Sequence, residues 1–146
     1  MRTVSTIAEL RALIAEARSS CKRIGFVPTM GALHQGHLSL VRRARDASDF
    51  VVMSIFVNPL QFNSSEDFTN YPRTVDDDGK RAADAGVDLL FIPVERELFP
   101  SRSEVKPTGK GAKASACTVK AGSLASGLCG AARPGHFDGV VTVVSI

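Results

Sequence analysis

Residues 50–57 form a run that is apolar at every position except Ser54 and halts at Asn58-Pro59. A strand apolar on both faces must be covered on both, which is the mark of a parallel sheet packed between helices rather than a half-solvated antiparallel one. Parallel neighbours cannot be joined by a tight turn, so the flanking chain has to supply crossover helices. Upstream, Thr6 and Glu9 make a Thr-x-x-Glu capping box ahead of Ile7, Leu10, Leu13, Ile14 and Ala17 at helical spacing, predicting a helix over 6–20. Residues 23–27 read as a short buried strand and 29–36 as a loop with two glycines. Over 37–47 a helix follows, with Leu38, Val41 and Ala44 on one stripe and Arg42, Arg43 and Arg45 outside it. Strand, loop, helix and strand make a βαβ unit, right-handed by default.

Further along, 58–73 carries too many polar and turn residues for a regular element. Thr74-x-x-Asp77 opens a helix ending near Gly86, and 87–92 is the next strand. The alternation predicts an α/β fold, a Rossmann-like parallel sheet with helices on both faces. Residues 101–122 place Lys106, Lys110, Lys113 and Lys120 among small and polar residues, which reads as a mobile surface loop with one strand around 117–119. No internal repeat is visible.

Composition narrows the class without naming a ligand. A chain of 146 residues and 15.5 kDa is the size of one domain. Its 44% hydrophobic and 23% charged residues exclude disordered, collagen-like and disulfide-dense chains. A formal charge of +3 demands no nucleic-acid partner. Cys21, Cys117 and Cys129 are odd in number and lack Cys-x-x-Cys spacing, so neither a disulfide framework nor a zinc cage is expected. With no membrane-length apolar run and no signal-peptide pattern at the start, the reading is a cytoplasmic chain that meets no membrane. Residues 137–146 end the sequence on an apolar run, which suggests a chain cut short.

The chemistry concentrates in Pro28-Thr29-Met30-Gly31-Ala32-Leu33-His34-Gln35-Gly36-His37, between a strand and a helix. That junction lies at the carboxyl edge of the sheet, where ligands bind and a helix start offers N–H groups and a positive dipole end to an anion. Gly36 leaves room for a base or phosphate to approach the backbone, while His34 and His37, three apart, can face one side. Two charge-assisted hydrogen bonds of about 1.5–3 kcal/mol each would stabilise a pentacovalent phosphorus. A surface pair or two ligands of a metal site are the alternatives. A metal needs further ligands, and the remaining histidine, His136, is far away in sequence.

Pro28 to His37 resembles the His-x-Gly-His signature of the nucleotidyltransferase superfamily, in the form carried by the pantothenate synthetase family. Ser54-Ile55-Phe56-Val57-Asn58-Pro59-Leu60-Gln61-Phe62 resembles that family's next block. Glu66-Asp67 with Tyr71-Pro72-Arg73-Thr74, then Arg133-Pro134-Gly135-His136-Phe137 and Gly139-Val140, follow in the family's order. The resemblance implies that residues 28–37 wrap ATP, with His34 and His37 on its phosphates and His37 assisting the chemical step. It also implies that Gln61 binds pantoate, that Asn58, Phe56 and Met30 line the same pocket, and that Val140, Val143 and Val144 form an apolar wall. Propensity alone makes Val140-Val141-Thr142-Val143-Val144 a strand, whereas the family pattern makes it a helix.

Adenylate formation implies Mg2+ on the triphosphate, for which Asp77 and Asp78 are candidates. Asp76, Asp77 and Asp78 equally suit a first helical turn, where they complement the dipole. The role of Arg133 stays open between phosphate ligand and structural anchor. The resemblance implies ligation of pantoate and β-alanine through a pantoyl adenylate, and a homodimer for the complete protein. Family members continue with Gly-x-Lys-Asp and Ser-Ser-Arg-Asn blocks and a smaller C-terminal domain that are not found in this sequence. The expectation is therefore an N-terminal ATP- and pantoate-binding portion with weak or no turnover by itself. A tRNA-linked adenylating fragment and a non-catalytic dimerisation module remain as rivals, the second because missing strands would leave sheet edges seeking a partner.

Overall fold

A computed structural model of the chain describes residues 1–100 and 118–146. Backbone contacts divide it into two compact units, Met1–Phe56 with Pro72–Val94, and Val57–Tyr71 with Glu95–Ile146. The first unit contains β1 (Arg2–Val4), α1 (Ile7–Ser19), β2 (Ile24–Thr29), α2 (Gln35–Ala47), β3 (Phe50–Ile55), α4 (Val75–Asp84) and β4 (Leu89–Phe91). The second contains a 3-10 turn (Pro59–Gln61), α3 (Ser65–Asn70), α5 (Glu95–Leu98), a second 3-10 turn (Gly122–Ser126), α6 (Cys129–Ala132) and α7 (His136–Val144).

In the first unit the four strands lie in the order β1-β4-β3-β2, all parallel. The step from β1 to β2 crosses the whole sheet, and the steps from β2 to β3 to β4 come back. Right-handed connections therefore set α1 on one face and α2 with α4 on the other. Val27, Met53 and Leu90 stand in register on the α2 and α4 face, joined by Val51 and Ile55 and closed by Val41 and Ala82, both fully buried. Burying a valine such as Val41 completely contributes about 1.5–3 kcal/mol. The opposite face carries Val52 and Leu89, and the buried residue of α1 is Ala17. Phe26, level with Val52 on the edge strand β2, stays 50% exposed.

The capping box of α1 forms as its sequence predicts, with Glu9 N–H donating to Thr6 Oγ1 at 3.3 Å and Thr6 N–H to Glu9 Oε2 at 3.1 Å. Strand β1 was not anticipated, because three residues give no periodicity and only the pairing of Arg2–Val4 with Leu89–Phe91 defines it. Residues 58–73, expected to be irregular, contain both the first 3-10 turn and α3. Ser64 caps α3 by accepting from Asp67 N–H at 3.0 Å, a signal that Ser64-x-x-Asp67 carried in the sequence.

In the second unit, α7 is a helix despite its β-branched run. Gly139 and Thr142 are its buried positions, and a side chain at Gly139 would collide with the Leu60 carbonyl. Thr142 Oγ1 accepts from Val119 N–H at 3.0 Å. Packing and hydrogen bonds outside the segment override its strand propensity. Residues 118–121 have no regular structure, so the strand expected around 117–119 does not appear there. The rest of that stretch and of the expected loop, 101–117, lies outside the described residues.

Candidate functional site

The junction of β2 and α2 carries the histidine loop, and its two glycines solve two different problems. Gly31 has φ +83° and Ala32 φ +50°, so successive residues turn left-handed and aim consecutive N–H groups inward. Those groups are already satisfied within the first unit. Gly31 N–H donates to Thr29 Oγ1 at 3.2 Å, Ala32 N–H to Asp78 Oδ2 at 2.9 Å and Leu33 N–H to Asp78 Oδ1 at 2.7 Å. Gly36 lies in the first turn of α2, where an added Cβ would sit 2.8 Å from His34 Cε1 and 3.0 Å from His34 Nδ1. The missing side chain at Gly36 thus lets the ring of His34 lie against the first turn of α2.

His34 is the N-cap of α2, and the two histidines build a capping box together. Gly36 N–H donates to His34 Nδ1 at 3.1 Å, and His34 N–H donates to His37 Nδ1 at 3.3 Å. The ring centroids are 4.1 Å apart. Accepting at Nδ1 fixes the neutral tautomer of each ring, leaving its proton on Nε2. Neither Nε2 has a protein partner among the described residues. The loop therefore offers an anion two neighbouring Nε2–H donors. Burial holds the His37 imidazole below its ordinary pKa, the proximity of His34 lowers it further, and the charge of Asp78 opposes both. His34 is exposed and His37 half-buried.

The residues named from the sequence for pantoate divide between the units. Phe56 ends the first, tied by its N–H to Thr29 O at 3.0 Å. Pro28 and Thr29 close β2, and Met30 is half-buried in the same loop. In the second unit Asn58 is completely buried and donates through Nδ2 to Gln61 Oε1 at 2.8 Å and to Gly139 O at 3.0 Å. Its Oδ1 accepts from Leu60 N–H at 3.2 Å. With Oε1 occupied, the amide of Gln61 has its Nε2 hydrogens left to donate to a ligand oxygen. His136 Nδ1 lies 2.9 Å from Gln61 O, and because a carbonyl only accepts, the ring carries its proton there. Val140 and Val143 are half-buried on α7, whereas Val144 is 47% exposed.

Of the two aspartates suggested for Mg2+, Asp78 has its oxygens already engaged by the protein. Asp78 is 2% exposed, and both of its oxygens accept from the histidine loop, with Thr74 Oγ1 a third donor at 3.0 Å. Asp77 is exposed and 3.6 Å from Lys80. Among the described residues no group of three or more His, Cys, Asp or Glu could hold a metal ion. The sequence reading missed the tie between Asp78 and residues 32–33, the hydrogen bond of His136 and the close fit of Gly139. Only the Asp76-Asp77-Asp78 run hinted at the first, since helical geometry turns one aspartate of three inward.

A parallel sheet whose first long βα junction presents a paired-histidine loop defines a Rossmann-like nucleotidyltransferase fold. The chain belongs to the pantoate-beta-alanine ligase family, whose model matches residues 2–146. It is 53% identical over 145 residues to the pantothenate synthetase of Pseudomonas putida strain W619, covering 99% of this chain and 47% of that protein. The pantothenate synthetase of Pseudomonas aeruginosa strain UCBPP-PA14 is 52% identical, with 99% and 48% covered. Among solved structures, pantothenate synthetase from Thermus thermophilus matches at TM-score 0.79 and 49% identity, over 99% of this chain and 47% of that one. The ligase from Francisella tularensis complexed with beta-gamma ATP and beta-alanine matches at TM-score 0.81 and 37% identity, over 99% and 51%. The chain spans about half the length of these relatives. No helix among the described residues is long and apolar enough to cross a membrane.

Proposed function

We propose that residues 1–146 are the ATP- and pantoate-binding portion of a pantoate–β-alanine ligase that works in the cytoplasm and as a homodimer when complete. A carboxylate oxygen of pantoate attacks the α-phosphorus of ATP in line, and pyrophosphate leaves. The β-alanine amine then attacks the carbonyl of the bound pantoyl adenylate, forming the amide of pantothenate and releasing AMP. The single observation that carries this reading is the histidine capping box, which leaves two adjacent Nε2–H donors for phosphate oxygens.

His37, with His34 beside it, stabilises the charge that builds on the phosphate oxygens in the transition state. Gln61 holds a pantoate oxygen through Nε2, assisted by Asn58, while Phe56, Met30, Val140, Val143 and Val144 supply apolar contacts. Substrate positioning contributes the rest of the rate, and no covalent enzyme nucleophile is needed. Mg2+ would enter with ATP and neutralise charge on the triphosphate, and of the two aspartates named for it only Asp77, which is exposed, would be open to it. The exposed free thiols Cys21 and Cys129 suit a reducing compartment.

The test is an ATP titration of the 15N-labelled chain, followed at the imidazole resonances, with pyrophosphate release measured in the presence of pantoate. Both histidines shift with ATP, and His37→Ala weakens the response, while turnover by these residues alone stays weak or absent. Histidine resonances indifferent to saturating ATP would refute the assignment of the loop. Turnover matching that of a full-length relative would refute the expectation of weak activity.

A further inference from the structure

We propose that Asp78 and Arg81 are positioning residues for the ligase reaction, because α4 grips the turn at 31–33 from both of its hydrogen-bonding sides and thereby sets where His34 and His37 stand. The carboxylate takes two consecutive N–H groups, Ala32 at 2.9 Å and Leu33 at 2.7 Å. One turn further along α4, Arg81 Nη1 donates to Leu33 O at 2.8 Å. Leu33 is thus held at its N–H and at its carbonyl, with its side chain 3% exposed in the core. The next residue is His34, whose ring caps α2 and whose N–H engages His37.

The cost of the arrangement argues for its importance. A carboxylate that is 2% exposed is strongly disfavoured unless its lone pairs are met, and here three donors meet them. The turn itself is unfavourable in isolation, since Ala32 adopts φ +50° with a Cβ. Consecutive N–H groups in such a turn form a concavity that attracts an anion. Here the anion is a side chain of the protein, so the turn is organised before any phosphate arrives. Gly31 cannot be replaced without disturbing the grip, because its Cβ would lie 3.0 Å from Asp78 Oδ2 and 3.1 Å from Ile55 Cγ2.

This inference rests on the proposed function for what the histidines do, so its decisive measurements need no turnover. Asp78→Asn keeps the shape but puts an NH2 where an acceptor oxygen stood. Thr74→Val removes one donor to the carboxylate, Arg81→Met removes the donor to Leu33 O, and Arg81→Lys restores one. Amide exchange is read at Ala32 and Leu33 against Met53 in the sheet, together with the imidazole shifts of His34 and His37 and the ATP titration.

The expected result is a loss of protection at Ala32 and Leu33 on the order of tenfold or more in Asp78→Asn, beyond any change at Met53. Thr74→Val and Arg81→Met act in the same direction but less strongly, and Arg81→Lys recovers much of the loss. Both imidazoles move, and ATP affinity falls in parallel. Protection at Ala32 and Leu33 that changes only in step with Met53, or imidazole shifts unaltered in every variant, overturns the proposal. Should Asp78→Asn not fold, Thr74→Val and the Arg81 pair decide the question by the same criteria. Failure of the unaltered chain to bind ATP would instead count against the proposed function, leaving the exchange and shift results to judge the grip.

Discussion

Asn58→Ala tests whether the second unit is organised around one buried amide. Asn58 is wholly inaccessible and makes three hydrogen bonds, two given and one received. The alanine leaves Gln61 Oε1 and Gly139 O without their donor and Leu60 N–H without its acceptor. Each buried orphan costs about 1–3 kcal/mol, and water entering the vacated space recovers part of the total. A net loss of about 3 kcal/mol follows, which for a chain of this size lowers the melting temperature by roughly 6–12 °C. Urea unfolding followed by circular dichroism measures the loss, with thermal melts alongside. Gln61→Ala and the double variant complete a cycle, in which the double loss falls short of the sum by about 1 kcal/mol because the two side chains share a bond. A loss below about 1 kcal/mol, or strict additivity, would refute the network as the reason these segments hold together.

Gly36→Ala sets helix propensity against the histidine cap. Alanine gains roughly 0.5–1 kcal/mol in a helix, but its Cβ displaces the His34 ring and forfeits a cap worth about 1 kcal/mol. Stability in urea therefore hardly changes while the His34 resonances and their response to ATP do, and unchanged resonances would contradict the geometry. In an NMR titration His37 has its midpoint below the ordinary value of about 6.5. Its folded pKa is depressed, so its contribution to stability is present above the unfolded value and is lost as pH falls through the folded one. His34→Gln removes one of the two lowering influences and raises that midpoint, and a midpoint that stays put would disprove the coupling. Asp138 lies below its usual range because Lys120 and then Ala121 N–H bond its carboxylate. Its stabilisation is present above about pH 3.9 and is lost on acidification through the folded pKa, so Lys120→Met raises the Asp138 midpoint and flattens the acid limb of stability.

Much of the fold can be read from local pattern. The apolar run at 50–57 becomes β3, the Thr6 box starts α1, and the stripe of Leu38, Val41 and Ala44 becomes the inner side of α2. These succeed because burial periodicity and caps act within a few residues. For the candidate site the sequence offers residues to name but not their arrangement. His34 and His37 are recognisable from spacing, yet the tautomers that make them donors follow from Gly36 N–H and His34 N–H. Asp78 was legible only as one of three acids at a helix start, and its burial depends on a turn more than forty residues earlier in the chain.

The sequence by itself determined the alternation of strand and helix, the Thr6 cap of α1, and the position of the histidine loop after a strand, since each is encoded in neighbouring residues. Tertiary structure decided the rest. It made the β-branched run at 140–144 part of a helix, because the carbonyl of Gly139 meets Asn58 and Thr142 meets Val119. It also turned Asp78 from a candidate metal ligand into the anchor of a loop, because partners distant in sequence reach both carboxylate oxygens only when the chain has folded. Hydrogen bonds between distant segments reward folding only after the intervening chain is ordered, and no local pattern of residues announces where they will close.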